Sequence, residues 1–194
     1  MISVALLLFL IMDPFGNLVV VNTLLSELSP RQRVAVILRE GAIATGILLL
    51  AALFGEAVLA MLGLEEYALR LAGGIVLFLI ALGMLFPARK MLDEPATESP
   101  LVVPIAMPLI AGPSAISMAI LFAEEYSVAR VAGAIVFAAV ATTLLLSLSA
   151  QIFSLLGRRG AMAMERLMGM LLIMLSVQMV LDGINAFISS ARVL

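Results

Sequence analysis

The stretch Leu10-Ile11-Met12-Asp13-Pro14-Phe15-Gly16-Asn17 places a carboxylate, a proline and a glycine inside a run that is otherwise apolar from about Ile2 to Leu25. A second stretch, Leu109-Ile110-Ala111-Gly112-Pro113-Ser114-Ala115-Ile116, repeats the pattern at an offset of 99 residues. A proline inside a helix removes one backbone donor and clashes with the carbonyl four residues earlier, so with glycine beside it each stretch predicts a broken helix. Pro14 and Pro113 suit the first turn of a new half-helix. That makes Asp13 and Gly112 the preceding caps, with backbone N–H groups free to face a cavity. Broken backbone at membrane depth is tolerated only where protein or a wet cavity satisfies it.

That this is membrane depth follows from composition. Of 194 residues 64% are hydrophobic and only 12% charged, with 13 acids against 11 bases. A soluble domain spends about a quarter of its residues on charge, so most of this surface must face lipid. The near-neutral balance excludes a nucleic-acid binder, which needs a basic face. With no Cys and no His, disulfides, thiol nucleophiles and Ser-His-Asp triads are excluded too. No metal or organic cofactor is expected, and an enzyme is not the reading these residues favour. Two membrane aspartates, Asp13 and Asp182, are the only basis for a protease alternative, and Asp182 lacks the glycine-rich lead-in that such an enzyme needs.

A spanning helix needs about 20 mainly apolar residues. Six candidates run about Ile2–Leu25, Val34–Leu62, Leu69–Phe86, Leu101–Ala123, Val131–Leu156 and Leu167–Ile188. No segment alternates with period two, which argues against a β-barrel. The expected fold is therefore all-α: a polytopic membrane protein of six transmembrane helices, arranged as two inverted three-helix repeats with broken first and fourth helices. Residues 1–90 form the first repeat, 91–100 a polar linker and 101–194 the second. The Arg70-Leu71-Ala72-Gly73 and Arg166-Leu167-Met168-Gly169 openings of the third and sixth helices, 96 apart, support the duplication. An odd number of helices per repeat turns the second copy upside down, the plan of many secondary transporters.

Orientation follows from positive charge, which is retained in the cytoplasm. Arg31, Arg33, Arg39, Arg89, Lys90, Arg158, Arg159 and Arg166 fall on one side, and Arg70, Arg130 and Arg192 on the other. Both termini are therefore expected outside. The N-terminus lacks a basic n-region and an Ala-x-Ala site, so it reads as a retained helix rather than a signal peptide.

The two broken ends are unequal, because Asp13 brings a negative side chain to its own half-helix and Gly112 brings none. Helix N-termini attract anions. The expectation is a split site for a zwitterion, with a carboxylate on the amides near Gly112, Ser114 and Ala115, an ammonium toward Asp13 or the carbonyls of Ile11 and Met12, and Asn17 orienting either group. Gln178, Asp182 and Asn185 share one stripe of the last helix, which either turns inward as a further polar set or, near the outer interface, is simply hydrated. Arg39 and Glu40 read as residues near the end of the second helix, where a long side chain reaches water. Gly73, Gly74 and Gly169 read as close-packing positions.

Ile11-Met12-Asp13-Pro14-Phe15-Gly16-Asn17, Pro108-Leu109-Ile110-Ala111-Gly112-Pro113-Ser114-Ala115-Ile116, and Arg166-Leu167-Met168-Gly169 with Gln178 together resemble the MarC family of integral membrane proteins. The resemblance covers essentially the whole chain. It implies a multi-pass protein of the cytoplasmic (inner) membrane, related to SnatA-type carriers of small neutral amino acids such as glycine and alanine, driven by an ion gradient. Site residues implied are Asp13, Pro14, Phe15, Gly16, Asn17, Gly112, Pro113, Ser114 and Ala115. The coupling ion would be H⁺ or Na⁺, at Asp13, Asp182 or Gln178. Expected partners are a small neutral amino acid or similar metabolite, the bilayer and, as an open alternative, further copies of the chain. An exporter or channel for another small metabolite is the alternative function. Position 114 is Ser where Gly is common, and Asp182 stands where a neutral polar residue is expected.

Overall fold

The computed structural model describes residues 2–86 and 110–191, and among them every regular element is helical. In chain order these are α1 (Ile2–Met12), α2 (Asn17–Leu24), α3 (Pro30–Leu62), α4 (Glu66–Leu85), α5 (Pro113–Glu125), α6 (Val128–Ser147) and α7 (Ser149–Ala191). Four of them, α3, α4, α6 and α7, are long and apolar enough to cross a bilayer, and α1 with α2, bent by 51°, makes a fifth if the pair counts as one span. The first expected helix is thus broken where Asp13 and Pro14 stand. The fourth, expected from about residue 101, begins outside the described residues, as does the linker 91–100. Its described part is Ile110 onward, leading into α5.

Local sequence sets the helix ends. Ser29 opens α3 with a reciprocal cap in which its backbone N–H donates to the Gln32 side chain at 3.0 Å, and Pro30 takes the first helical position, where no N–H is needed. Gly63 closes α3 at φ 66°, and Leu64 N–H reaches back to the Leu59 carbonyl at 2.9 Å. Two expectations are corrected at the other end of the chain. The fifth span does not run on to Leu156, since the backbone turns at Leu148 and α6 stops at Ser147. The stretch after Gly157, expected as a polar connection because of Arg158, Arg159 and Arg166, is helical and belongs to α7, whose one break is Gly157 at φ 65° and ψ 173°. Charge alone does not stop a helix, and the Arg, Ala, Met and Glu that fill this stretch are good helix formers.

A core of large apolar side chains such as Leu8, Leu48, Leu77, Ile135 and Leu172 is buried, yet much apolar bulk also faces outward. Large side chains such as Leu50, Phe54, Leu79, Phe137, Leu144 and Met174 point outward, while Ala44, Ala115, Ala119, Ala134, Ala138 and Ala139 are buried between helices. Lipid tails are as apolar as Leu, so helices gain most by close approach through small residues. The α4–α7 pair, the most extensive in the bundle, depends on this. A Cβ on Gly74 would stand 3.0 Å from the Ser176 carbonyl oxygen, and one on Gly169 would stand 3.2 Å from that of Ala81. By contrast Gly46 and Gly83 face open space.

At the end of the bundle where α3 hands over to α4, beyond the expected spans, Glu124 near the end of α5 meets Glu66 of α4. Burial first, then a hydrogen bond and like charge from Glu66, with Glu56 adding and Arg70 opposing, push the Glu124 carboxyl up to about 7. Its Oε2 is buried without a hydrogen-bond partner among the described residues.

Two outcomes follow from these contacts. Gly74→Val should destabilise the protein by about 1–3 kcal/mol, as overpacking does, in thermal or denaturant unfolding in detergent, whereas Gly83→Ala should be near neutral. Because the folded state binds the Glu124 proton more tightly than the unfolded chain, whose value is near 4.5, that contribution is complete below about pH 4.5 and is lost as pH rises through about 7. The Tm should fall between pH 5 and 8, and Glu124→Gln should flatten that slope.

Candidate functional site

The break between α1 and α2 is built by its own side chains. Asp13 takes the left-handed backbone region at φ 46°, a conformation that Asp and Asn tolerate better than other non-glycine residues. Its Oδ1 accepts the Gly16 N–H at 3.1 Å, and its own N–H donates to the Leu10 carbonyl at 3.1 Å. Asn17 Nδ2 donates to the Met12 carbonyl at 3.1 Å, which the break has released from helical pairing. Asp13 therefore caps the turn 13–16, and α2 starts at Asn17, later than the expected start at Pro14.

Gly16 is buried, and a Cβ there would overlap the Asp13 carboxylate and the Met84 methyl. Only glycine leaves that carboxylate in place. Phe15 packs edge-on against Phe9, ring centres 6.1 Å apart. Met12 is fully buried and its sulfur accepts the Thr142 hydroxyl at 3.5 Å, tying the break to α6.

The start of α5 has the expected cap, and what precedes Ile110 lies outside the described residues. Gly112 is the N-cap of α5 with extended backbone (φ −70°, ψ 165°), Pro113 is the first helical residue, and no side chain caps the end. Ile116 N–H returns to the Gly112 carbonyl. The N–H groups of Ser114 and Ala115 precede that first bond and have no intrahelical acceptor.

The break at Asp13 and the start of α5 face one cavity of about 230 Å³, lined by Asp13, Asn17, Gly112 and Ser114 together with Ile11, Leu77, Ile80 and Leu172. Asp13 is 7% exposed and Ser114 3%, and the Ser114 hydroxyl has no hydrogen-bond partner among the described residues. Of the other residues singled out in sequence, Pro14, Gly16 and Ala115 are buried beside this cavity's walls rather than on them, and Pro113 is exposed.

Gln178 and Asp182 are not brought to it. They sit on the outward face of α7, where Gln178 Nε2 donates to Asp182 Oδ1 at 2.8 Å, and Asn185 is exposed on the same face. No group of acidic side chains among the described residues is arranged to hold a metal ion.

One buried charge was misjudged from sequence. Glu40 is 2% exposed, its Oε1 held at 2.7 Å by the half-exposed Arg39, and its Oε2 is buried without a partner among the described residues. Adjacent helix positions point about 100° apart, so one of a neighbouring pair turns in when the other turns out. Ile37, Ala44 and Leu48 share the buried stripe of α3 with Glu40, and that spacing is the signal that finds it.

A bundle of long apolar helices, four of them able to cross a bilayer and a fifth if α1 and α2 count as one span, defines a polytopic integral membrane protein. The sequence pattern described as MarC family integral membrane protein matches residues 1–188, and the chain belongs to that family. It is 41% identical over 189 residues, 96% of each chain, to a UPF0056 membrane protein of Buchnera aphidicola. It is 40% identical over 188 residues, 95% of each chain, to the UPF0056 inner membrane protein YhgN of Escherichia coli. An archaeal UPF0056 membrane protein of Methanocaldococcus jannaschii is 35% identical over 198 residues, covering 96% of this chain and 87% of its own. No solved structure matches.

The cap at Asp13 gives a direct check. Asp13→Asn keeps an acceptor for Gly16 N–H and a side chain suited to positive φ, and should leave folding nearly intact. Asp13→Ala loses both and should cost about 1–3 kcal/mol, read as a lowered unfolding midpoint in detergent.

Proposed function

We propose that the protein is a secondary carrier of small neutral amino acids of the glycine and alanine type, working by alternating access with the polar cavity as its substrate site. The observation that carries this reading is the convergence of Asp13, Asn17, Gly112 and Ser114, from both breaks, on one cavity. Their chemistry is complementary to a zwitterion. Asp13 is the single ionisable group among the described lining residues and suits an ammonium. The uncapped start of α5 and the unpartnered Ser114 hydroxyl suit a carboxylate. The corresponding amide at the first break is already occupied by Asp13 Oδ1, which gives the two ends different tasks.

The cavity, at about 230 Å³, lies below the range of about 300–1,000 Å³ usual for drug-sized ligands. Its remaining walls, Ile11, Leu77, Ile80 and Leu172, are apolar. A short aliphatic side chain fits such walls, and a charged one finds no partner there.

The inverted-repeat plan belongs to the same proposal. If α1–α2, α3 and α4 correspond to the broken segment ending in α5, α6 and α7, a two-fold relation sends α3 onto α6 and α4 onto α7, and both pairs are in contact. The α2–α7 contact likewise has its counterpart in α5–α4. In this reading the termini lie outside, the arginine-rich end is cytoplasmic, and an H⁺ or Na⁺ gradient drives the cycle with Asp13 as the carboxylate at the site. No bond is made or broken in the solute, so no catalytic residue is assigned.

Counterflow of labelled alanine and glycine in proteoliposomes tests the reading. Saturable exchange is expected in the wild-type protein, reduced at least about tenfold in Asp13→Asn and in Ser114→Leu, which fills the cavity. Flux that neither saturates nor exchanges would make it a channel. Absence of exchange by correctly folded protein would remove the amino acid assignment.

A further inference from the structure

A second cavity, of about 300 Å³, lies at the opposite end of α2, between that helix, the start of α3 and the α6–α7 junction. Its polar lining is Arg33, Ser147, Ser149, Gln151 and Ser154. No acid is among the described lining residues, so its one formal charge is positive.

The donors at this cavity are only partly committed. Arg33 Nε donates to the Leu25 carbonyl at 2.6 Å and Nη2 to the Asn22 carbonyl at 3.0 Å. A guanidinium carries further N–H donors in a planar fork, and both hydrogens of Nη1 remain without a partner among the described residues. Ser149 is 5% exposed, and its hydroxyl also makes no hydrogen bond among the described residues. Ser147 and Ser154, by contrast, give their hydrogens to the Thr143 and Gln151 carbonyls at 2.7 and 2.8 Å. A fixed guanidinium with free donors, beside an unpartnered hydroxyl and an amide, recognises oxygens that bear negative charge.

We propose that this cavity is a second binding site, for a small oxyanion group, a carboxylate or a phosphate, held by Arg33 and Ser149 with Gln151 beside them. Two sources share that chemistry: a free anion in solution and the phosphate of a lipid headgroup reaching the arginine-bearing end of the bundle. The site does not depend on the transport reading. Along α2 the two linings are four residues apart, Asn17 on the first cavity and Val21 on the second, about 6 Å at 1.5 Å per residue, with Leu18 buried in the core between them. Arg33 also holds the far end of α2 in place through the two carbonyls, so a bound oxyanion and the position of α2 share one side chain.

The test reads binding through stability and needs no transported substrate. Purified protein in nanodiscs of phosphatidylcholine alone is titrated with sodium acetate and with inorganic phosphate at constant ionic strength. A parallel set of discs contains about a quarter phosphatidylglycerol. A saturable rise in Tm on the order of 5 °C is expected for at least one free anion or for the phosphatidylglycerol discs, lost in Arg33→Gln and reduced in Ser149→Ala. A rise confined to phosphatidylglycerol and abolished by the variants assigns the site to a lipid headgroup. Should Arg33→Gln fail to fold because α2 is no longer held, Ser149→Ala decides. No rise in any condition, or a rise of equal size in the variants, overturns the proposal. Loss of amino acid counterflow leaves it standing, and its own failure leaves counterflow standing.

Discussion

The constraint on which the rest of the structure depends is that hydrocarbon offers no hydrogen bonds, so each backbone group released by a helix break must find its partner within the protein. At residues 13–16 the partners are local: the Asp13 carboxylate takes Gly16 N–H and the Asn17 amide takes the Met12 carbonyl. At residues 112–115 no side chain caps the end, and Gly112 and Ser114 line the cavity. The difference between the breaks is therefore chemical as well as positional. One has internalised its polar partner, and the other still needs one.

That need is why small residues matter so far from the breaks. The cavity walls meet only if the helices behind them approach closely, and α4 and α7 do so through Gly74, Gly169 and Gly183, while Gly73 faces Ser117 of α5 as well as Met179 of α7, each at a distance that leaves little room for a methyl group. Gly41 against Thr143 and Gly55 against Ile120 do the same for α3. The apolar bulk is pushed outward, where lipid accepts it. Close packing of the frame and openness of the polar centre are two results of one distribution of side-chain sizes.

The break at Asp13-Pro14, the start of α5 at Pro113 and most helix bounds were legible in the sequence because proline and glycine act locally: a missing donor or a missing Cβ has its effect within one turn. The convergence of Asp13, Asn17, Gly112 and Ser114 was legible only through the repeat, since no local rule brings residues about 100 apart together. Where the cue was charge rather than backbone, reading failed. Arg158, Arg159 and Arg166 suggested a loop and lie on a helix. Glu40 was set at the interface by its neighbour Arg39 and is buried. Gln178 and Asp182 satisfy one another on an outward face, since a stripe's period tells that its members share a side and not which side that is.

The short helix α2 joins these strands of argument. At its start Asn17 lines the polar cavity, and at its far end Val21 and Leu25 line the second. Its two ends are fastened differently. The first is held by a turn whose geometry needs Asp13 in the left-handed region and glycine at 16, the second by one arginine on two carbonyls. An element of eight residues is too short to hold its helical form alone in water, where isolated helices need roughly 12–15, and here it is fixed at both ends by polar contacts that a ligand can also make.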